Sequence, residues 1–202
     1  METDFLVQRV RSASSLILMV TMLIAQTCAE GEQAWSAQLS RQVNAADLAL
    51  KFTANTLLFE DHLYTGKTFT LNAKGDTTAM AEYRKGMEEG TCYAWYHNGQ
   101  LKEERMYSKG KRIGIHRGWF ANGQLKFRYH YENDLMHGLA EEWYASGKPC
   151  KVMHYKNGYE AGLQRMWDED GSVRANYEAR HGRNYGLTGT KNCANVWKDV
   201  DP

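Results

Sequence analysis

The chain has 202 residues with 25 basic and 24 acidic side chains, for a formal net charge of +1, and so balanced a charge leaves no electrostatic footprint for nucleic acid. Its 18 glycines against two prolines, with 12% aromatic residues, suit many tight turns and aromatic ladders more than one large buried core. Once an N-terminal leader is set aside, the remainder is enough for one domain.

Residues 1–29 read as an export signal. Arg9 and Arg11 precede the apolar run Leu16 to Ala25, LILMVTMLIA, and Thr27-Cys28-Ala29 closes the stretch with small side chains. The run falls well short of the roughly 20 residues that cross a bilayer as a helix. Cleavage after Ala29 gives a mature chain starting at Glu30. A second reading is a lipoprotein signal with Cys28 as the lipidated first residue, although Thr27 stands where Gly, Ala or Ser is expected. A third is an uncleaved anchor. All three place the remainder outside the cytoplasm, in the periplasm or cell envelope, and the last two hold it at a membrane. Residues 30–58 carry mixed helical spacing over Ala45 to Leu58 and are expected to form a linker and a short helix or strand that caps a repeat array.

From residue 59 to 186 the chain repeats itself. Gly86/Gly90, Gly110/Gly114 and Gly158/Gly162 are glycine pairs at one spacing, Gly138 holds the same place with Asp134 as its partner, and successive members lie 24 residues apart. Trp95, Trp119, Trp143 and Trp167 fall in register. They are followed by Tyr96, Phe120 and Tyr144, with Asp168 breaking that second column, and then by Asn98-Gly99, Asn122-Gly123, Ser146-Gly147 and Asp170-Gly171. A degenerate copy starts at Phe59 and keeps Gly66 and Gly75; past Tyr177 the period slips, and Gly182/Gly186 restore the pair. About five units and a half-unit are present. Periods of this size mark stacked supersecondary elements, and residues 187–202 form a tail.

Each unit is most simply a β-hairpin. Asn-Gly and Asp-Gly supply positive φ angles for a two-residue type I′ turn, and the flanks are rich in strand-favouring aromatics. The paired glycines, with Lys85, Lys109 or Asn157 beside them, link one hairpin to the next. The expected fold is therefore all-β: an elongated antiparallel meander of tandem 24-residue hairpins. A tight turn at Asn98-Gly99 would send Trp95 and Tyr96 to opposite faces, with a Trp column on one and Tyr/Phe, Leu101 and Leu125 on the other.

The segments Trp95-Tyr96-His97-Asn98-Gly99-Gln100-Leu101-Lys102 and Trp119-Phe120-Ala121-Asn122-Gly123-Gln124-Leu125-Lys126 resemble the MORN (membrane occupation and recognition nexus) repeat. They are closest to the variant found in the bacterial YwqK-type antitoxin family. Pro149, Asp168 and Leu71-Asn72 depart from the pattern. The resemblance implies a repetitive hairpin scaffold that mediates protein contacts or touches membranes. The antitoxin name sits badly with an exported chain.

Cys92 and Cys150 stand more than two repeats apart, roughly 20 Å across the sheet at ~4.8 Å per strand, so they are not expected to bond each other. Three unpaired thiols at Cys92, Cys150 and Cys193 are the simpler expectation, with a tail that folds back to join Cys193 to Cys150 as the other. No catalytic constellation can be read. His130 and His154 occupy equivalent places, with His116 and His137 in the same units, yet a zinc site needs three or four convergent ligands. Glu141-Glu142 and Glu103-Glu104 are neighbours along a strand and face opposite ways. No cofactor, metal or enzymatic role is expected.

There remains a surface. Trp95, Trp119, Trp143 and Trp167, with Lys102, Lys126 and Arg174 as neighbours, would form an elongated aromatic and cationic platform if exposed, or would pack as a structural column if not. Gly86, Gly90, Gly99, Gly110, Gly114, Gly123, Gly138, Gly147, Gly158, Gly162 and Gly171 are structural residues of the repeat. The leading expectation is a non-enzymatic scaffold that binds another envelope protein. The alternatives are a membrane-surface or cell-wall glycan binder and an antitoxin-like neutraliser of a toxin.

Overall fold

The computed structural model describes residues 41–54 and 56–189. The signal segment with Cys28, residues 30–40, residue 55 and the tail from residue 190, with Cys193, lie outside the described residues. The strands are, in chain order, β1 (Gln42–Asn44), β2 (Leu50–Thr53), β3 (Thr56–Phe59), β4 (His62–Leu63), β5 (Gly66–Leu71), β6 (Thr77–Arg84), β7 (Met87–Glu88), β8 (Gly90–Trp95), β9 (Leu101–Ser108), β10 (Lys111–Trp119), β11 (Leu125–Glu132), β12 (Leu135–Trp143), β13 (Pro149–Lys156), β14 (Tyr159–Glu160), β15 (Gly162–Trp167), β16 (Val173–Arg180) and β17 (Arg183–Leu187). No helix occurs among the described residues.

The main sheet runs β1-β5-β6-β8-β9-β10-β11-β12-β13-β15-β16-β17, with β7 on β6 and β14 on β13. From β5 onward it is the antiparallel meander of hairpins that the repeats imply. Its first strand departs from that plan: β1 lies parallel to β5, with Val43 beside Thr68. The degenerate copy is a full hairpin, since Leu71 meets Thr77 across the same register shift that brings Trp95 to Leu101.

Two kinds of turn alternate, and they are distributed differently from the sequence expectation. At Asn98-Gly99 the Tyr96 carbonyl accepts from the Gly99 N–H and the Tyr96 N–H donates to the Gln100 carbonyl. Gly99 has positive φ (82°), while Asn98 does not. This is a three-residue loop with a glycine bulge, in which Asn98 Oδ1 also accepts from the Gln100 N–H at 3.0 Å. The two-residue turns with positive φ at both positions lie on the other side of the sheet, as at Lys109-Gly110 (51° and 74°). Asn133-Asp134 adopts the same shape (48° and 71°) without glycine. There the Asp134 carboxylate accepts from the Arg112 backbone N–H at 3.0 Å and from its Nε at 3.2 Å, which offsets the strain of a left-handed non-glycine residue.

Within residues 45–58, for which a short helix or strand is the sequence expectation, Leu50–Thr53 and the start of Thr56–Phe59 are strands, preceded by turns. β2, β3 and β4 make a separate three-stranded sheet. Leu57, Tyr64 and Tyr83 join Val43 in a small core, with Leu50, Phe59 and Ala81 against it. The cap docks through backbone: the Gly86 N–H donates to the Tyr64 carbonyl at 2.7 Å, and the Leu57 N–H donates to the Gly86 carbonyl at 2.8 Å. A Cβ at Gly86 would stand 2.3 Å from Thr56 Cγ2 and 2.8 Å from the Leu57 carbonyl oxygen, so this close approach needs glycine. A second small core joins Ala175, Tyr177 and Ala179 at the other end. Burial is thus spread along the array, as neighbour-stabilised repeats require.

Candidate interaction surface

Strand alternation gives the array two unlike faces. On the inner face the leading tyrosines and their neighbours form a polar aromatic network. Tyr107 and Tyr131 flank the His116 ring, with centroids 5.6 and 4.7 Å away, and Phe127 stacks on Tyr129 at 4.8 Å. The Tyr129 hydroxyl donates to Glu142 Oε1 at 2.8 Å, and Lys151 Nζ reaches the same oxygen at 2.9 Å. Burial and the Glu142 carboxylate together push the Tyr129 phenol far above its ordinary range.

One place per unit on this face bonds to backbone at the break in the strand ladder. Gln164, fully buried, accepts from the His154 N–H at 3.1 Å through Oε1 and donates to the His154 carbonyl at 2.9 Å through Nε2. His116 holds the equivalent place, its Nε2 2.9 Å from the Met106 carbonyl oxygen and 3.2 Å from the Met106 nitrogen. Burial lowers the His116 pKa and favours the neutral ring. Cys92 is third in the series, near the Glu82 backbone, and desolvation pushes its thiol up to about 11. Ala140, the fourth member, has no polar atom to offer. Sequence reasoning passes over this series because its members are chemically unlike; its signal is a fixed position within each unit.

The outer face carries Ile115, Leu139 and Leu163 at the repeat spacing. Ile115 is 36% and Leu163 38% exposed, and Ile115, Leu139, His130 and Arg128 line a shallow cavity of about 240 Å³. Between this row and the tryptophans runs a row of cross-strand ion pairs, Arg117 to Glu104 at 2.9 Å and Arg128 to Glu141. Adjacent carboxylates do face apart: Glu141 pairs with Arg128 on the outer face, while Glu142 serves Tyr129 and Lys151 on the inner one.

Trp95, Trp119, Trp143 and Trp167 are all half-buried, and Trp95 stacks on Tyr93 at 5.8 Å. The second aromatics, Tyr96, Phe120 and Tyr144, are the buried ones. Tyr96 and Tyr144 donate their hydroxyls at 2.8 Å to the carbonyls of Trp119 and Trp167, one unit further on. Lys102 and Lys126 stand over the rings of Tyr96 and Phe120, at 4.9 and 5.3 Å, and Arg174 pairs with Asp168. The structure thus sets the lysines against the second aromatic column. No group of three or more His, Cys, Asp or Glu residues converges as a metal site among the described residues. His154 Nδ1 lies 2.7 Å from the Leu163 carbonyl oxygen, and His130 packs edge-on against His137. Cys92 is a free thiol, so it does not bond Cys150. Cys150, 1% exposed, is disulfide-bonded, which overturns the expectation of three unpaired thiols; its partner lies outside the described residues.

Residues 88–109, 112–133 and 136–157 each match the family model of the MORN repeat variant. These three tandem stretches are similar to the MORN repeat variant. Each matched stretch is one hairpin, β8–β9, β10–β11 and β12–β13 in turn. The hairpins β5–β6 and β15–β16, outside the matched stretches, have the same antiparallel pairing and register shift. No curated protein matches this chain.

Proposed function

We propose that the protein is a non-enzymatic, exported repeat scaffold that binds another protein of the cell envelope through its outer face. The observation that carries this reading is the row of exposed Ile115 and Leu163 with half-buried Leu139 between them, beside the half-buried tryptophans. Aliphatic and aromatic rows on either side of a row of mutually neutralised ion pairs give a contact strip several strands long, with aromatic and arginine side chains of the kind protein interfaces favour. Lys102 and Lys126 lie over aromatic rings, which favours a protein partner over an anionic membrane surface. Export rests on the leader, with its apolar run from Leu16 to Ala25.

The test is photo-crosslinking in the native host from residue 115 or 163, with residue 180 as an exposed control, together with N-terminal sequencing of the mature chain. One protein captured from both outer-face positions, and lost when Ile115, Leu139 and Leu163 are replaced together by serine, supports the scaffold. Undiminished capture by the triple variant overturns the outer face as the contact, and an unprocessed chain found in the cytoplasm overturns export.

A further inference from the structure

The inner face is hollowed at its N-terminal hairpins. Where hairpin β10–β11 presents Phe127 and Tyr129, hairpin β5–β6, two repeat lengths earlier, presents Ala79 and Ala81 beneath Tyr83. With Ala94 they floor a cavity of about 300 Å³ walled by Tyr83, Tyr107 and Glu88. Departures from an otherwise consistent repeat are where functional exceptions are expected.

The charges of this cavity are unevenly matched. Arg105 at its rim is held by Glu103 at 2.7 Å. The Glu88 carboxylate accepts no hydrogen bond among the described residues, and burial raises its pKa with only the charge of Arg105 opposing. Its equivalents in other units are satisfied: Arg112 pairs with Asp134 at 3.2 Å, and Glu160 accepts from the Tyr177 hydroxyl at 2.8 Å. A half-buried carboxylate without a donor is costly unless something supplies one.

We propose that this cavity binds an alkylammonium group, with the charge on Glu88 and the carbon chain between Tyr83, Tyr107 and the alanine floor. Two carboxylates against one committed guanidinium leave the site one negative charge to spare. The tyrosine faces suit a cation, and the single unpaired carboxylate suits a compact ammonium better than a guanidinium, which is best met by a bidentate partner. The volume sits at the small end of ligand sites. The group can come from a free amine or from a lysine side chain of a protein. The cavity opens on the inner face and is independent of the contact strip on the outer one.

The experiment is an amide chemical-shift titration of the full chain with n-butylammonium, with butyrate and n-butanol as controls, repeated with Nα-acetyl-lysine methylamide. Saturable shifts confined to the surroundings of Tyr83, Glu88 and Tyr107, seen with the ammonium and absent with both controls, are expected. Glu88→Gln should weaken binding about tenfold or more, the loss of one charge-assisted hydrogen bond. Ala81→Leu should block the cavity with Glu88 intact, and thermal melting establishes that both variants fold. Tighter binding of the lysine derivative than of butylammonium assigns the source to a protein, and the reverse assigns it to a free amine; either supports the site. Equal response to butyrate, absence of saturation, or unchanged binding by folded E88Q overturns it.

Discussion

His116 and Gln164, two repeat lengths apart, reach for the N–H and carbonyl of the same backbone position, Met106 in one unit and His154 in the other. The amide uses separate atoms for the two bonds, whereas the imidazole brings one nitrogen to both groups. His116→Gln should therefore be accommodated with stability unchanged or raised by up to about 1 kcal/mol. Gln164→Ala should cost about 1–3 kcal/mol, because both backbone groups lose their side-chain partner. Denaturant unfolding of the two variants checks this.

A pH dependence arises from the same residue. The folded-state pKa of His116 is lowered by burial, so the unfolded chain takes up a proton first as pH falls. The contribution to stability is full above the ordinary histidine value, ~6.5, and declines as pH drops below it toward the folded-state value. The melting temperature should fall over this range in the parent chain, and less so in H116Q.

Ala140 is the member of this series that makes no bond. Ala140→Gln should stabilise the chain by about 0.5–1.5 kcal/mol if the amide repeats the geometry of Gln164. Chemical denaturation with an unchanged slope would confirm that the gain belongs to the folded state.

How far the sequence exposes this architecture depends on how each feature is encoded. The period, the hairpins and the degenerate copy at Gly66 and Gly75 are legible because turn chemistry recurs in identical residues. The turn types are only half legible. A glycine in the left-handed region ends both a two-residue turn and a three-residue loop, and the two differ in the φ of Asn98, which no residue type dictates. The parallel pairing of Val43 with Thr68 and the docking of the cap on Gly86 are tertiary events without a local signature. The backbone-bonding series is hidden because Cys, His, Ala and Gln share no chemistry that a periodicity search would score. Of the candidate surface residues, the tryptophans are half-buried as a row, while Lys102 and Lys126 stand over Tyr96 and Phe120, a cross-strand pairing that the register shift between Ala94 and Trp95 makes hard to read from the sequence.

Gly118 is constrained by shape. It lacks positive φ, yet a Cβ there would stand 2.2 Å from Phe127 Cε1 and 2.6 Å from Cζ, with Phe127 directly across the strand pair. Gly118→Ala should cost about 1–3 kcal/mol through overpacking. Phe127→Leu should cost a comparable amount alone yet recover part of the loss in the double variant. A double-mutant cycle with coupling near zero would show that the ring moves aside without consequence.

The cysteines differ in state and in reactivity. Cys92 is free and Cys150 is bonded, which leaves Cys28 and Cys193 as the partners available to Cys150. Removal of the leader after Ala29 would take Cys28 away, so non-reducing peptide mapping of the exported chain should find Cys150 joined to Cys193. A Cys28 linkage would instead require the leader to be retained. Cys92 supplies the internal control. With its thiol pushed up to about 11 by burial, only on the order of one molecule in a thousand carries the thiolate at pH 8, and the thiolate is the reacting species. Alkylation of the native protein should therefore be slow at pH 8 and quicken about tenfold per pH unit on the way to that value. Rapid labelling of Cys92 at pH 8 would mean that its thiol is less desolvated than its burial implies.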